Sequence, residues 1–320
     1  MSRPLIKPRR LAPGDTIGLI SPSGPATAAG STTPESIEVA RRHLLGVGFR
    51  TVMGPHALDA RGYLAGTDAD RAADLQAMFA DPGVQGILCV RGGYGAHRLL
   101  DALDYDLIRR HPKVFVGYSD ITALHCAFHT QAGVVSFHGP MAGVLAGGDE
   151  ADQHDLIALL RAVTRAEPIG PLANPPGGPQ IATLVPGVAE GELIGGNAAL
   201  VTALLGTPYQ PDFAGKILFL EDLGDHVYRL DRKIAHLRLA GVLHRVAGVV
   251  VGECRYTPDP EPPLTLRQIL DDLVVPIGKP AIYGLACGHG AYHLTLPVGV
   301  RARLDATRGI LSVEEAAVTE

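Results

Sequence analysis

The chain has 320 residues, 46% apolar and 19% charged, and its 28 Lys and Arg against 33 Asp and Glu give a formal net charge of −5. This composition excludes a disordered or collagen-like chain, and the length calls for one large or two medium domains. Lys7-Pro8-Arg9-Arg10 is the one basic run, so no nucleic-acid surface is expected, and no apolar stretch approaches the ~18 residues of a membrane-spanning helix.

Pro13-Gly14-Asp15 interrupts the N-terminus before a secretion signal forms, and Cys89, Cys126, Cys254 and Cys287 contain no C-x-x-C pair. They read as buried thiols, and a cytoplasmic protein is expected. From Asp15 onward, strand-like runs alternate with helical periods, the pattern of an α/β fold with a mostly parallel sheet. Thr16–Ile20 is a short buried strand ending in the turn Ser21-Pro22-Ser23-Gly24-Pro25. A helix follows, entered through Thr32-x-x-Glu35 with Pro34 in its first turn and closing near Gly46. Next come a strand near Thr51, a helix over about Asp68–Phe79, and the central strand Val84–Val90, which ends in Arg91-Gly92-Gly93-Tyr94-Gly95. Helical segments over Ala96–Leu103 and Asp106–Arg110 precede the strand Val114–Gly117. Tyr118-Ser119-Asp120 separates that strand from a helix over Ile121–Thr130. A strand at Val134–Phe137 and an amphipathic helix over Asp152–Val163 complete a first domain, residues 1–165.

Residues 166–185, with Pro168, Pro171, Pro175, Pro176 and Pro179, fit a semi-rigid linker and neither helix nor central strand. In the second domain, residues 186–320, strands are expected at Ile217–Leu220, Val246–Val251 and Ala281–Ala286. Helices are expected through Val227, Leu230, Ile234 and Leu237 and over Leu266–Leu273.

Ligands of open α/β sheets collect beyond the carboxyl ends of strands, so the polar residues that end apolar runs are the candidates for chemistry. Gly117-x-Ser119 between strand and helix has two readings, a helix cap or the elbow that lifts a nucleophilic hydroxyl, with Ile121 where the elbow motif has a second glycine. Ser119, Glu221 and His289 each end a separate strand, so a nucleophile, an orienting carboxylate and a base are available. Gly92-Gly93-x-Gly95 and Gly195-Gly196-Asn197 either bind an anion or simply turn the chain, and neither matches a nucleotide-binding motif. His125 and His129, like His289 and His293, have the spacing of zinc ligands without an H-E-x-x-H motif, and ordinary histidines are the favoured reading of the first pair. Glu221-Asp222 also reads as a pair of solvated carboxylates. Arg229-x-Asp231-Arg232-Lys233 reads as the wet face of a helix, with an arginine that binds a substrate carboxylate as its second reading.

Taken together, Ser21-Pro22-Ser23-Gly24-Pro25, Arg91-Gly92-Gly93-Tyr94-Gly95, Gly117-Tyr118-Ser119-Asp120-Ile121-Thr122-Ala123-Leu124, Gly195-Gly196-Asn197, Leu218-Phe219-Leu220-Glu221-Asp222 and Gly288-His289-Gly290 resemble the LD-carboxypeptidase family, in order, over about residues 15–305. That family holds murein tetrapeptide carboxypeptidases and microcin C self-immunity proteins. The resemblance implies a flavodoxin-like N-terminal domain with a parallel sheet, a swivelling C-terminal α/β domain, and a Ser-Glu-His triad. Carried onto this chain, Ser119 is the nucleophile, His289 the base and Glu221 its carboxylate, with the backbone N–H groups of Gly92 and Asp120 as the oxyanion hole. It also implies no metal or organic cofactor, and a homodimer. The expected substrate is a murein tetrapeptide that loses its terminal D-Ala, with peptidyl-adenylates as the alternative. Immunity-type members stack the base on a tryptophan, and this chain has none, leaving Tyr209, Phe213 or Tyr256 for that purpose. A metal-dependent amidohydrolase and a non-catalytic peptide-binding module are the competing classes.

Overall fold

The apolar runs of the first half become the strands of a parallel sheet. The computed structural model describes residues 5–26, 32–147, 150–224, 226–257 and 264–320. β1 (Thr16–Ile20), β2 (Arg50–Met53), β3 (Gly86–Cys89), β4 (Val114–Gly117) and β5 (Ser136–His138) pair in parallel in the order β2-β1-β3-β4-β5. This is the flavodoxin order, in which the reversal of direction around β1 and β3 opens a crevice beyond the carboxyl ends of the strands. β3 and β4 are buried at every position, which is why they read as unbroken apolar runs.

Helices α1 (Pro34–Gly46), α2 (Asp68–Ala80), α3 (Tyr105–Arg110), α4 (Thr122–Ala127) and α5 (Glu150–Thr164) belong to this half. α1 begins one residue beyond the expected cap. The Ser36 N–H donates to Thr33 Oγ1 at 3.2 Å and the Thr33 N–H donates to Ser36 Oγ at 2.9 Å, so a Thr33/Ser36 box replaces Thr32/Glu35. The helix expected over Ile121–Thr130 is three short pieces: a 3₁₀ turn at Ser119–Ile121, then α4, then a π turn at Phe128–Ala132.

From Gly170 the chain forms β6 (Gly170–Leu172), β7 (Ala182–Val185), β8 (Val188–Asn197), β9 (Ile217–Gly224), β10 (Gly248–Tyr256), β11 (Ala281–Gly288), β12 (Leu296–Val298), β13 (Arg301–Asp305) and β14 (Ile310–Val313). All but β12 build an eight-stranded mixed sheet, β6-β14-β13-β8-β9-β10-β11-β7. Its helices include α6 (Ala198–Ala203), α7 (Tyr228–Leu239), α8 (Val242–Arg245) and α9 (Leu266–Leu273). The interval 166–185 is therefore more than a linker. It contributes both edge strands of the second sheet, where Pro171 is tolerated because an edge residue has no obligatory ladder donor.

β12 departs from the simple division at 185. It returns to the first sheet and pairs antiparallel with β5, Leu296 opposite His138 and Val298 opposite Ser136. One continuous buried cluster consequently runs from Leu19 and Val116 through Leu296 and Val298 to Leu218 and Val250. With β12 between them, the two sheets share one core. The basic run near the N-terminus is neutralised in place, Lys7 by Glu315, Arg9 by Asp15 and Arg10 by Glu320. No helix among the described residues is long and apolar enough to cross a membrane.

Candidate active site

Ser119 has φ +62°, the only positive φ of a non-glycine among the described residues. For an L-residue this conformation costs about 1–2 kcal/mol, so the surroundings must hold it. They do so from both sides. Behind it, the Gly117 carbonyl accepts from the Gly139 N–H at 3.1 Å and lies 2.8 Å from His125 Nε2, while the Ile121 side chain covers Gly117 so closely that a Cβ there would come within 2.9 Å. Ahead of it, the buried Asp120 carboxylate accepts from the Ser23 hydroxyl and, at 2.8 Å, from the Ala96 N–H. The missing second glycine of the elbow motif is thus explained: Ile121 packs back over the strand end and helps force the turn.

His289 follows β11 and Glu221 lies within β9. His289 Nε2 is 3.0 Å from Ser119 Oγ, and His289 Nδ1 is 2.6 Å from Glu221 Oε2. The Glu221 side chain is fully buried and the imidazole is 13% exposed. Gly288 permits this approach. It has φ +119°, and a Cβ on it would sit 2.6 Å from Glu221 Cβ and 2.9 Å from Oε2. The Tyr118 ring packs against the imidazole with centroids 5.0 Å apart. Ser119 and His289, each just beyond a strand end and 170 apart in sequence, and Glu221 from within β9 are brought into one hydrogen-bonded row. Gly92 lies beside them, its Cβ position 2.9 Å from Ser119 Cβ, so only a residue without a side chain fits against the serine.

The other sequence candidates resolve into structural tasks. His125 is fully buried, and burial pushes its pKa down to about 4, so the ring is neutral at pH 7. The Gly117 carbonyl can only accept, so Nε2–H donates to it and Nδ1, 2.8 Å from Ser136 Oγ, accepts from that hydroxyl. Both ring nitrogens are used, and none is left for a metal. His129 instead faces Glu192, 3.3 Å away. His293 is buried, with its pKa pushed down to about 3 by burial, and its backbone N–H donates to Asp155 at 2.6 Å. Among the described residues the one group of three potential ligands that converge is His56, Asp59 and Asp70, away from this site.

Glu221 and Asp222 are not solvated; both are fully buried. Asp222 accepts from Lys233 and from the Tyr256 hydroxyl, each at 2.5 Å, so Lys233 points inward rather than lying on the wet face expected of α7. All four cysteines are free, and all but Cys254 are fully buried. Gly195 and Gly196 are neither an anion cradle nor a simple turn: a Cβ on Gly196 would lie 2.4 Å from Thr122 Oγ1, and the Asn197 N–H donates to that oxygen at 2.9 Å. They let the second sheet touch the start of α4, directly behind Ser119.

A cavity of about 390 Å³ opens over Ser119 and His289 and is lined also by Arg91, Gly92, Tyr94 and Asn197. Phe213 is fully buried, and neither Tyr209 nor Tyr256 lines it, so the aromatic rings offered to a ligand are Tyr94 and Tyr118. The side chain of Asp120 and the ring of Tyr118 went unnoticed in the sequence. A carboxylate just after a strand-end serine reads as a helix-start residue, and its partners Ser23 and Ala96 lie on distant turns.

Residues 17–139 match the model of the LD-carboxypeptidase N-terminal domain, and residues 190–304 match that of the LD-carboxypeptidase C-terminal domain. The chain belongs to the LD-carboxypeptidase family. Membership makes it a serine-type carboxypeptidase, a hydrolase. The probable murein peptide carboxypeptidase of Bacillus subtilis (strain 168) is 38% identical over 98% of this chain and 96% of its own. The murein tetrapeptide carboxypeptidase of Pseudomonas aeruginosa is 31% identical over 91% of this chain and 94% of its own. Among solved structures, the microcin C7 self-immunity protein MccF in complex with aspartyl sulfamoyl adenosine superposes with a TM-score of 0.90 at 25% identity, covering 98% of this chain and all of that one.

Proposed function

We propose that this LD-carboxypeptidase hydrolyses the L,D-peptide bond that releases the terminal D-Ala of murein tetrapeptides, with Ser119, His289 and Glu221 as its catalytic residues. The observation that carries the reading is the row Glu221–His289–Ser119, with separations of 2.6 and 3.0 Å, on a serine held in a left-handed turn. The substrate class rests on the relatives named for murein peptides.

In the proposed reaction Ser119 Oγ attacks the scissile carbonyl carbon and His289 Nε2 takes the hydroxyl proton. Glu221 accepts from Nδ1–H, fixes the tautomer and stabilises the imidazolium as it forms. The tetrahedral oxyanion is held by the N–H groups of Gly92 and Asp120, each such donor being worth roughly 2.7–4 kcal/mol. His289 then passes the proton to the departing amine of D-Ala, and water, deprotonated by the same imidazole, hydrolyses the acyl-serine. Every proton is returned, and no step calls on a metal or organic cofactor. The family resemblance also supports a homodimer working in the cytoplasm on recycled cell-wall peptides.

The likeness to MccF favours one second reading, cleavage of a peptidyl-adenylate at the same serine. The absence of tryptophan argues against it, although Tyr94 and Tyr118 at the cavity offer rings of another kind. Incubating purified protein with a murein tetrapeptide and with an aminoacyl sulfamoyl adenosine, and following both by mass spectrometry, separates the two. Release of D-Ala alone is the expected result; cleavage of the nucleoside compound alone overturns the murein assignment.

A further inference from the structure

A carboxypeptidase differs from an endopeptidase in one requirement, a free carboxylate on the residue that leaves. That group is joined to the scissile nitrogen through a single carbon, so whatever recognises it must share the cavity with the nucleophile. Among the described residues that line this cavity there is no Asp or Glu, and besides His289 there is one basic side chain, Arg91.

Arg91 is held there by the fold. It follows the end of β3 and immediately precedes Gly92, the residue packed against Ser119. Its Nη1 donates to the Pro25 carbonyl at 3.2 Å, across to the turn after β1. Gly24 leaves room for this: a Cβ there would lie 2.9 Å from the Gly92 carbonyl oxygen and 3.6 Å from Arg91 Nε. The Gly24 N–H in turn donates to the Gly92 carbonyl at 3.1 Å, locking the two turns together. Arg91 has no carboxylate partner among the described residues, whereas Lys233 is paired with Asp222 and Lys216 with Glu192. A guanidinium has five donors in a planar fork matched to a carboxylate, and one of them is spent on Pro25. The arginines of α7, offered by the sequence for this task, do not line the cavity.

We propose that Arg91 binds the free carboxylate of the leaving D-residue and so makes the enzyme a carboxypeptidase rather than an endopeptidase; this rests on the reaction proposed above. The cation sits one residue before the Gly92 N–H assigned to the oxyanion, so one short turn reads the leaving carboxylate and the reacting carbonyl together. Stem peptides that end in an amide, or that continue beyond the D-residue, lack the anion and are expected to be poor substrates.

The test uses the full chain and two peptides, a tetrapeptide with a free D-Ala carboxylate and the same peptide ending in D-Ala amide. Wild type is expected to prefer the acid in kcat/KM by about 10- to 150-fold, the range of one charge-assisted contact. In Arg91→Gln the preference for the acid over the amide should shrink to about twofold or less, and Arg91→Lys should restore part of it. Labelling of Ser119 by a fluorophosphonate reports whether each variant is folded and its serine reactive. The same two peptides are titrated calorimetrically against Ser119→Ala with and without Arg91→Gln, which reads recognition without turnover. An equal loss on both peptides in Arg91→Gln, an undiminished acid preference, or no acid preference in binding to Ser119→Ala overturns the proposal. Turnover of neither peptide by wild type sinks the reaction assigned above, and the binding comparison then decides Arg91 by itself.

Discussion

Replacing Glu221 by Gln separates the electrostatic task of this residue from its structural one. In the proposed mechanism Glu221 faces a histidine that must be neutral to act as a base, and a Gln carbonyl accepts from Nδ1–H as a carboxylate does. In the transition state the imidazole has become a cation. With about 4 Å between charge centres and an effective dielectric of about 20, the lost attraction is about 4 kcal/mol. Because it exists only after proton transfer, it falls on kcat, by about 10³-fold, and leaves KM nearly unchanged. Stability should move little, since Glu221 is fully buried with Oε1 unpartnered and a neutral amide exchanges one imperfectly satisfied group for another. The assay is D-Ala release under saturating substrate, beside a urea melt of each protein. A variant that keeps kcat within about tenfold of wild type would show that Glu221 does not stabilise an imidazolium.

Four further outcomes are expected. Ser119→Gly should be inactive yet more stable than Ser119→Ala by roughly 0.5–1 kcal/mol in denaturant melts, because glycine accepts φ +62° without strain and alanine does not. Gly288→Ala, which drives a Cβ to 2.6 Å from Glu221 Cβ, should lose more than about tenfold in kcat and about 1–3 kcal/mol of stability. Gly278→Ala, at φ +69° with open space around it, should keep full activity in the same assay. His125, His138 and His293 are buried with pKa values lowered by burial, to about 4 for His125 and about 3 for His293. The unfolded chain binds these protons first, so stability should be fully present above about pH 6.5 and fall by about 1.4 kcal/mol per pH unit per histidine as pH drops toward the folded values. Asp120, raised by burial, acts with the opposite sign. Urea titrations from pH 7 to 4 should show net loss, smaller in His125→Gln; a flat profile would contradict the neutral buried rings.

Much of the candidate site was legible because each of its residues ends an apolar run, and strand ends in a parallel sheet are where function collects. Ser119, Glu221 and His289 are readable for that reason, and so is the turn at Arg91-Gly92-Gly93. What periodicity does not carry is long-range pairing. β12 is three residues with Pro297 in the middle, too short to signal a strand, yet it joins the first sheet and fuses the two cores. β8 holds Gly191, Gly195 and Gly196, which depress any strand signal; its glycines are set by close approach to Lys216, Phe219 and Thr122, none of them near in sequence. Lys233 sits in a charged run and reads as solvated. Its inward turn depends on Asp222, a carboxylate buried by a sheet the sequence does not draw.

The proposed release of D-Ala depends on Ser119. The most direct test is mass-spectrometric measurement of D-Ala released from a murein tetrapeptide by wild type, by Ser119→Ala, and by wild type with a chelator. Release by wild type with or without chelator is expected, with a loss of at least about 10³-fold in Ser119→Ala and the fold retained. Comparable release by the alanine variant, or release abolished by the chelator, would contradict it.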